Sequence, residues 1–171
     1  NTFSIDFHGT GGFINNTQFG ALKIKDAVVD RMRKVANKRP STGSELTGAV
    51  VYLYWKYDEA EVFIDTTGDS LARHGYRKIP GKAPMLEALA AATILSGKWD
   101  RFTPFINPMC GSGTLAIEAA LIATKRVPGL LRENYAFMHV LGYKKEVYEN
   151  ERSIIENQIR SLPALQIIAS D

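Results

Sequence analysis

Two glycines separated by one residue stand where a short apolar segment passes into a stretch rich in alanine and leucine. A sharp turn from a strand into a helix points several backbone N–H groups and the positive helix end at one place. Glycine in such a turn lets a ligand approach the backbone closely. The turn therefore predicts a nucleotide-like ligand site, formed by Asn107, Pro108, Met109, Cys110, Gly111, Ser112, Gly113 and Thr114.

The spacing of Gly111, Gly113 and Ala116 also matches the GxGxxA pattern of nicotinamide and flavin dinucleotide sites. Those sites carry an acidic residue roughly 20 positions further on, which holds a ribose. Here the first acidic residue at a predicted strand end is Asp171, which is too distant for a standard dinucleotide unit. Asp171 can still accept hydrogen bonds from a ribose diol if an insertion separates the two strands. A dinucleotide-dependent oxidoreductase is therefore the weakest alternative.

The elements that would position this loop follow an α/β order. Pro84 suits the first turn of a helix that ends at Gly97. Beyond it the sequence predicts a strand over residues 102–106, helices over 114–124 and 146–161, and a strand over 166–169. This order is the opening of a doubly wound α/β sheet, with an extra segment before the second strand.

The first third of the chain has a different, α+β pattern. Apolar residues fall at helical spacing over residues 19–36 and leave the basic residues largely on the other face. Residues 49–57 and 61–64 are rich in β-branched and aromatic side chains, which predicts a hairpin. The turn-forming residues 66–70 end that hairpin, so we place the domain connection after them.

Charge and composition limit the classes of binding partner and the cellular location that we expect for this chain. The net charge of +3, from 21 cationic and 18 anionic residues, is too mild to establish a nucleic-acid partner. The basic residues are nevertheless clustered, and those that we expect to meet phosphates are Lys23, Lys25, Arg33, Arg39, Arg73 and Arg77. The sequence has no apolar run long enough to span a membrane and no secretory signal, so we expect a cytoplasmic protein.

Cysteine and histidine offer little further chemistry. The single cysteine, Cys110, excludes an intramolecular disulfide, and without a neighbouring histidine we interpret it as a packing or cofactor-lining residue. His8, His74 and His139 have no partners at useful spacing, so we assign them structural roles and predict no metal site.

The glycine turn and its flanks resemble the THUMP-domain RNA methyltransferases that modify guanine N2, most closely the bacterial enzymes that act on large-subunit (23S) ribosomal RNA. The resemblance covers nearly the whole chain. It comprises, in order, Phe13 with residues 15–17, residues 25–30, Arg39-Pro40, residues 65–71, residues 75–77, residues 83–87 and 89–91, residues 107–114 with 117–120, and residues 128–132 with 136–137.

This resemblance implies a partial Rossmann-like class I methyltransferase sheet preceded by an α+β THUMP-type segment. Residues 1–70 would be the C-terminal part of a THUMP RNA-binding domain, 71–98 a connection and packing helix, and 99–171 a truncated methyltransferase domain. S-adenosyl-L-methionine would be the cofactor, with residues 107–114 around its methionine and ribose and Asp171 at the ribose. Glu118 either orients the loop or caps and solvates its helix.

Two departures from the family pattern matter. Asn107 stands where the family usually has aspartate, so the negative charge that helps hold the cofactor's ammonium group is lost. The family's Asn/Asp-Pro-Pro-aromatic catalytic loop is absent from these 171 residues. We therefore assign no catalytic residue, expect that motif beyond Asp171, and expect a fragment that is inactive alone. Alternatives are an RNA-binding module with a vestigial cofactor fold, or methylation of another RNA such as tRNA.

Overall fold

A computed structural model describes residues 2–10, 16–43, 45–79, 81–161 and 164–171. The chain forms two compact units, of which the first comprises Asn1–Asp69 and Asn134–Lys144 and the second Ser70–Glu133 and Lys145–Asp171. Phe13 and Asn15, which belong to segments singled out in the sequence, lie outside the described residues.

The first unit is a four-stranded sheet with a long helix. Its elements are β1 (Thr2–Thr10), α1 (Thr17–Ala36), β2 (Ser41–Thr42), β3 (Ala49–Lys56) and β4 (Glu59–Asp65). The sheet order is β2-β1-β3-β4, with β1 parallel to both neighbours and β3 antiparallel to β4. The parallel β1–β3 pair requires a crossover connection, which α1 provides. The predicted helix and hairpin are confirmed.

The core of this unit explains how the helix and sheet hold together. Phe3 and Phe7 of β1, Val29 of α1, and Val50 and Leu53 of β3 are all buried. The strand β1 was not predicted, although the alternation of Phe3 and Phe7 with polar residues is a period-two signal. Because β1 was not predicted, its parallel pairing with β2 and β3 was not predicted either.

The second unit contains α2 (Glu87–Ser96), β5 (Phe105–Asn107), α3 (Thr114–Ala123), α4 (Lys145–Glu156) and β6 (Ile167–Ala169). Strands β5 and β6 are parallel, with Asn107 opposite Ala169. Helices α2 and α3 pack together, and their buried apolar residues are Ala90, Ile94, Ala119 and Ala123. The small alanine side chains let the two helix backbones approach closely.

The bounds of β5 differ from the sequence prediction because Asp100 organises a turn. Its carboxylate accepts hydrogen bonds from the backbone N–H groups of Phe102 and Thr103, at 2.8 and 2.9 Å, and from the Thr103 hydroxyl. These bonds hold the pKa of Asp100 below its ordinary value. The strand therefore begins at Phe105 rather than at residue 102.

Two helix bounds also differ. Pro84 lies outside α2 because Leu86 has an extended backbone, so the helix begins at Glu87. Helix α4 ends at Glu156 rather than residue 161, and Arg160 instead donates its backbone N–H to the Thr124 carbonyl at 2.8 Å. Within the described ranges, every helix is too short or too polar to cross a membrane.

Candidate functional site

A pocket of about 530 Å³ lies at the carboxyl end of β5 in the second unit. One wall is the loop of residues 107–114, which we call the glycine loop, together with Leu115 and Asp171. The other wall is formed by Ile79, Gly81, Lys82, Ala83, Pro84 and Met85, which we call the facing wall. A crevice beyond the carboxyl ends of parallel strands is the usual ligand position in an open α/β sheet.

The glycine loop needs glycine for its backbone conformation. Gly111 has φ of 52° and Gly113 has φ of 77°, a region that other residues rarely adopt. Leaving out Gly111 and its two sequence neighbours, no atom of the residues that the structure describes lies within 4 Å of a Cβ atom built at Gly111. The loop therefore leaves open space beside the Gly111 backbone, and close approach of a ligand there stays a prediction. Gly113 then leads directly into α3, whose Ile117 donates its N–H to the Gly113 carbonyl.

Backbone N–H groups donate hydrogen bonds between the segments that follow β5 and β6. Ser170 donates its N–H to the Asn107 carbonyl at 3.0 Å, and Cys110 donates its N–H to the Ser170 carbonyl at 2.9 Å. Gly111 donates its N–H to Oδ1 of Asp171 at 3.1 Å. Two candidates 60 residues apart in sequence are thus in contact, and the exposed carboxylate of Asp171 lines the pocket.

The remaining loop residues have distinct environments. Asn107 is 8% exposed, and within the described part of the chain its Nδ2 has no hydrogen-bond partner. Cys110 is half-buried, whereas Met109 is 85% exposed at the pocket. The hydroxyls of Ser112 and Thr114 are 3.3 Å apart. Pro108 and Gly113 shape the turn, and the Pro108 carbonyl accepts a hydrogen bond from the Ser170 hydroxyl.

Glu118 lies inside the unit and is 1% exposed, so the solvated interpretation is wrong. Its Oε1 lies 2.6 Å from Nδ1 of His74 and accepts a hydrogen bond from the Tyr76 hydroxyl at 2.7 Å. Burial and this hydrogen bond raise the pKa of Tyr76 well above its ordinary value, so the phenol keeps its proton. His74 therefore has a partner, contrary to the sequence expectation. The spacing did not reveal it because Glu118 is 44 residues away.

Arg77 has partners within the second unit. Its Nη2 donates to the Met85 carbonyl at 2.6 Å and to the Thr114 hydroxyl at 3.0 Å. The same nitrogen lies 3.7 Å from Oε1 of the buried Glu87. Arg77 was expected to contact RNA phosphates, but its partners in the structure are groups of the protein. These contacts connect the facing wall with the glycine loop. Sequence spacing had no signal for them, since the partners lie up to 37 residues away.

The other predicted RNA contacts are on the surface. Lys23, Arg33, Arg39 and Arg73 are exposed, and Lys25 is partly exposed and lies 3.4 Å from Asp26. Among the residues described, no group of three or more His, Cys, Asp or Glu side chains is arranged to hold a metal ion.

The family model of the RMKL-like methyltransferase domain (UPF0020) matches residues 74–171. A curated relative from Shewanella sp. (strain W3-18-1), named ribosomal RNA large subunit methyltransferase K/L, is 46% identical over 151 residues. The match covers 88% of this chain and 21% of the relative. The protein of the same name from Shewanella oneidensis is 48% identical over 149 residues, covering 86% and 21%. This chain therefore spans about a fifth of these relatives' length.

Solved structures extend the likeness across both units. The structure of SMU.472 complexed with SAH is 30% identical with a TM-score of 0.77, covering 97% of this chain and 44% of that one. A predicted N6-adenine-specific DNA methylase from Listeria monocytogenes is also 30% identical, with a TM-score of 0.79, covering 99% and 44%. These matches confirm the predicted fold class, a partial Rossmann-like class I methyltransferase sheet preceded by an α+β segment.

Proposed function

Because the chain belongs to the RMKL-like methyltransferase domain family, we propose that it carries the S-adenosylmethionine-binding half of an RNA methyltransferase. The observation that carries this proposal is the contact between the Gly111 N–H and the Asp171 carboxylate at the pocket. It places a glycine turn and an acidic strand tip side by side, which are the two parts that a nucleoside-containing ligand requires.

The residues present fit that cofactor. The pocket volume of about 530 Å³ is within the range of small-molecule sites. Open space at Gly111 leaves room for a ligand against the backbone, and the buried Nδ2 of Asn107 lacks a hydrogen-bond partner in the described part of the chain. A buried unpaired donor is costly, so a polar ligand that accepts this hydrogen bond is favoured.

We assign the methionine and ribose of the cofactor to the glycine loop, and the ribose hydroxyls to Asp171. One Asp171 oxygen already accepts from Gly111, so the carboxylate is oriented before the ligand arrives. When bound, the cofactor supplies an activated methyl group for in-line displacement by a nucleophile. The chain itself binds and orients the donor, and such positioning contributes strongly to the rate.

We propose guanine N2 of large-subunit ribosomal RNA as the methyl acceptor. The names of the Shewanella relatives support this RNA, and the guanine position rests on the family resemblance. Residues 1–70 would form the C-terminal part of a THUMP RNA-binding domain, 71–98 the connection, and 99–171 the methyltransferase part. Within these bounds, Asn134–Lys144 belongs to the first compact unit and residues 71–98 belong to the second. The side chains proposed to contact RNA phosphates are the exposed Lys23, Arg33, Arg39 and Arg73 and the partly exposed Lys25. A ribosomal substrate also favours a cytoplasmic location.

A second candidate acceptor is the N6 amine of adenine, because the Listeria neighbour is described as a predicted N6-adenine-specific DNA methylase. Both acceptors are exocyclic amines on a purine, and the donor pocket is the same for either. The Asn/Asp-Pro-Pro-aromatic motif implied by the resemblance is not in this sequence, so the chain's own residues do not distinguish them.

The experiment is a methyl-transfer assay with the full-length protein, labelled S-adenosylmethionine, and unmodified ribosomal RNA, tRNA or DNA as acceptor. Digestion to nucleosides and mass spectrometry identify the product. We expect N2-methylguanosine from large-subunit RNA. N6-methyladenosine from RNA, or N6-methyl-2′-deoxyadenosine from DNA, would replace the guanine proposal with the adenine one. N2-methylguanosine from tRNA alone would make tRNA the substrate, and tight RNA binding without transfer would indicate a binding module.

A further inference from the structure

The side chain of Arg77 is held within the second unit by three groups. It is only 19% exposed, and its Nη2 donates to the Met85 carbonyl at 2.6 Å and to the Thr114 hydroxyl at 3.0 Å. The carboxylate of Glu87, which is 4% exposed, lies 3.7 Å from the same nitrogen. To bind an RNA phosphate, the Arg77 guanidinium would have to break these contacts and become exposed.

Two of these partners belong to different segments that line the pocket. Met85 is on the facing wall, and Thr114 is the last residue of the glycine loop and the first of α3. The Thr114 hydroxyl also lies 3.3 Å from that of Ser112, so the contact with Arg77 extends into the loop. A planar guanidinium has several donors in a fixed fork and can serve both walls and Glu87, whereas a lysine ammonium is a point charge on a flexible stem.

We propose that Arg77 is a positioning residue for the methyl donor, which fixes the facing wall to the glycine loop through Met85 and Thr114. This inference rests on the proposed function, since it concerns the same pocket. The neighbouring contacts reinforce it, because Tyr76 and His74 both reach Glu118 on α3. His74 and Tyr76 attach the segment from His74 to Met85 to α3 at Glu118, and Arg77 attaches it at Thr114, which lines the pocket.

The test is isothermal titration of the full-length protein with S-adenosylhomocysteine, using Arg77→Lys, Thr114→Val and the double variant. Lysine keeps the positive charge beside Glu87, so the fold is retained while the bridge between the walls is removed. The matched control is Arg126→Lys, which makes the same change at an exposed arginine of the same unit. Thermal unfolding of each variant shows that titrations are made on folded protein.

We expect Arg77→Lys to weaken S-adenosylhomocysteine binding about tenfold, the usual size for losing a charge-assisted hydrogen bond. The Arg126→Lys control should bind as the unmodified protein does. If Arg77 acts through Thr114, the double variant should bind no more than about twofold weaker than the weaker single variant. A loss of overall stability alone would not produce that coupling.

Binding by Arg77→Lys within about twofold of the unmodified protein would overturn the inference and leave the proposed function intact. The inference would also be overturned if the fold-reduction in affinity of the double variant equalled the product of the reductions in the two single variants. Arg77 would then not act through Thr114. Failure of the unmodified, folded protein to bind S-adenosylhomocysteine would overturn the proposed function and this inference with it.

Discussion

Glu118→Ala tests how α3 is held behind the glycine loop. The substitution removes the acceptor of the Tyr76 hydroxyl, at 2.7 Å, and the partner of His74 Nδ1, at 2.6 Å. Leaving a buried polar group unsatisfied costs about 1–3 kcal/mol. Two such groups give about 2–6 kcal/mol, and because water can still reach part of both rings we expect the lower half, about 2–4 kcal/mol.

The assay is amide hydrogen exchange read by mass spectrometry on peptides from Thr114–Ala123 in the full-length protein. A loss of about 3 kcal/mol corresponds to exchange through local opening that is faster by roughly a hundredfold. The matched control is Glu151→Ala, which removes an exposed glutamate from α4 of the same unit. Unchanged exchange in α3 of the Glu118 variant, with a difference below about 0.5 kcal/mol, would refute the reasoning.

Three further predictions concern the pocket, the turn before β5 and the basic surface. Asp171→Asn should weaken S-adenosylhomocysteine binding about tenfold in a titration, because ribose hydroxyls lose a charged acceptor; equal affinity would remove Asp171 from the site. The pKa of Asp100 is lowered by backbone hydrogen bonds in the fold, so its stabilising contribution is present above its ordinary pKa of 3.8 and is lost as pH falls through the folded value. Asp100→Asn should remove that part of the acid dependence in pH-resolved thermal unfolding, and an unchanged profile would contradict it. Changing Lys23 and Arg33 to alanine should lower the slope of log affinity for RNA against log salt by about 0.7–0.9 for each phosphate that the protein no longer neutralises, and an unchanged slope would place the RNA elsewhere.

Local patterns were sufficient for most of the elements. The α1 periodicity and the β3–β4 hairpin depend on residues close in sequence, and both were predicted. The start of β5 was not, because the Asp100 turn competes with strand pairing for residues 102 and 103. Strand β1 was missed despite its alternation, and its parallel partner β3 is about 45 residues away.

The glycine loop was predictable because its signal is local. Positive φ at Gly111 and Gly113 and the helix that follows are properties of one short segment. Asp171 was identified from the strand-end rule and from the family resemblance, and the structure places it against Gly111. Contacts that depend on tertiary packing gave no sequence signal, which explains why the partner of His74 was missed and why Arg77 was grouped with the surface cations.

The central claim is that the glycine loop and Asp171 together hold a methyl donor. Calorimetric titration of the full-length protein with S-adenosylhomocysteine, and separately with NAD, tests it most directly. We predict saturable binding of S-adenosylhomocysteine at one site for this domain and no measurable binding of NAD. A folded protein that binds NAD in preference, or that binds neither ligand, would contradict the claim.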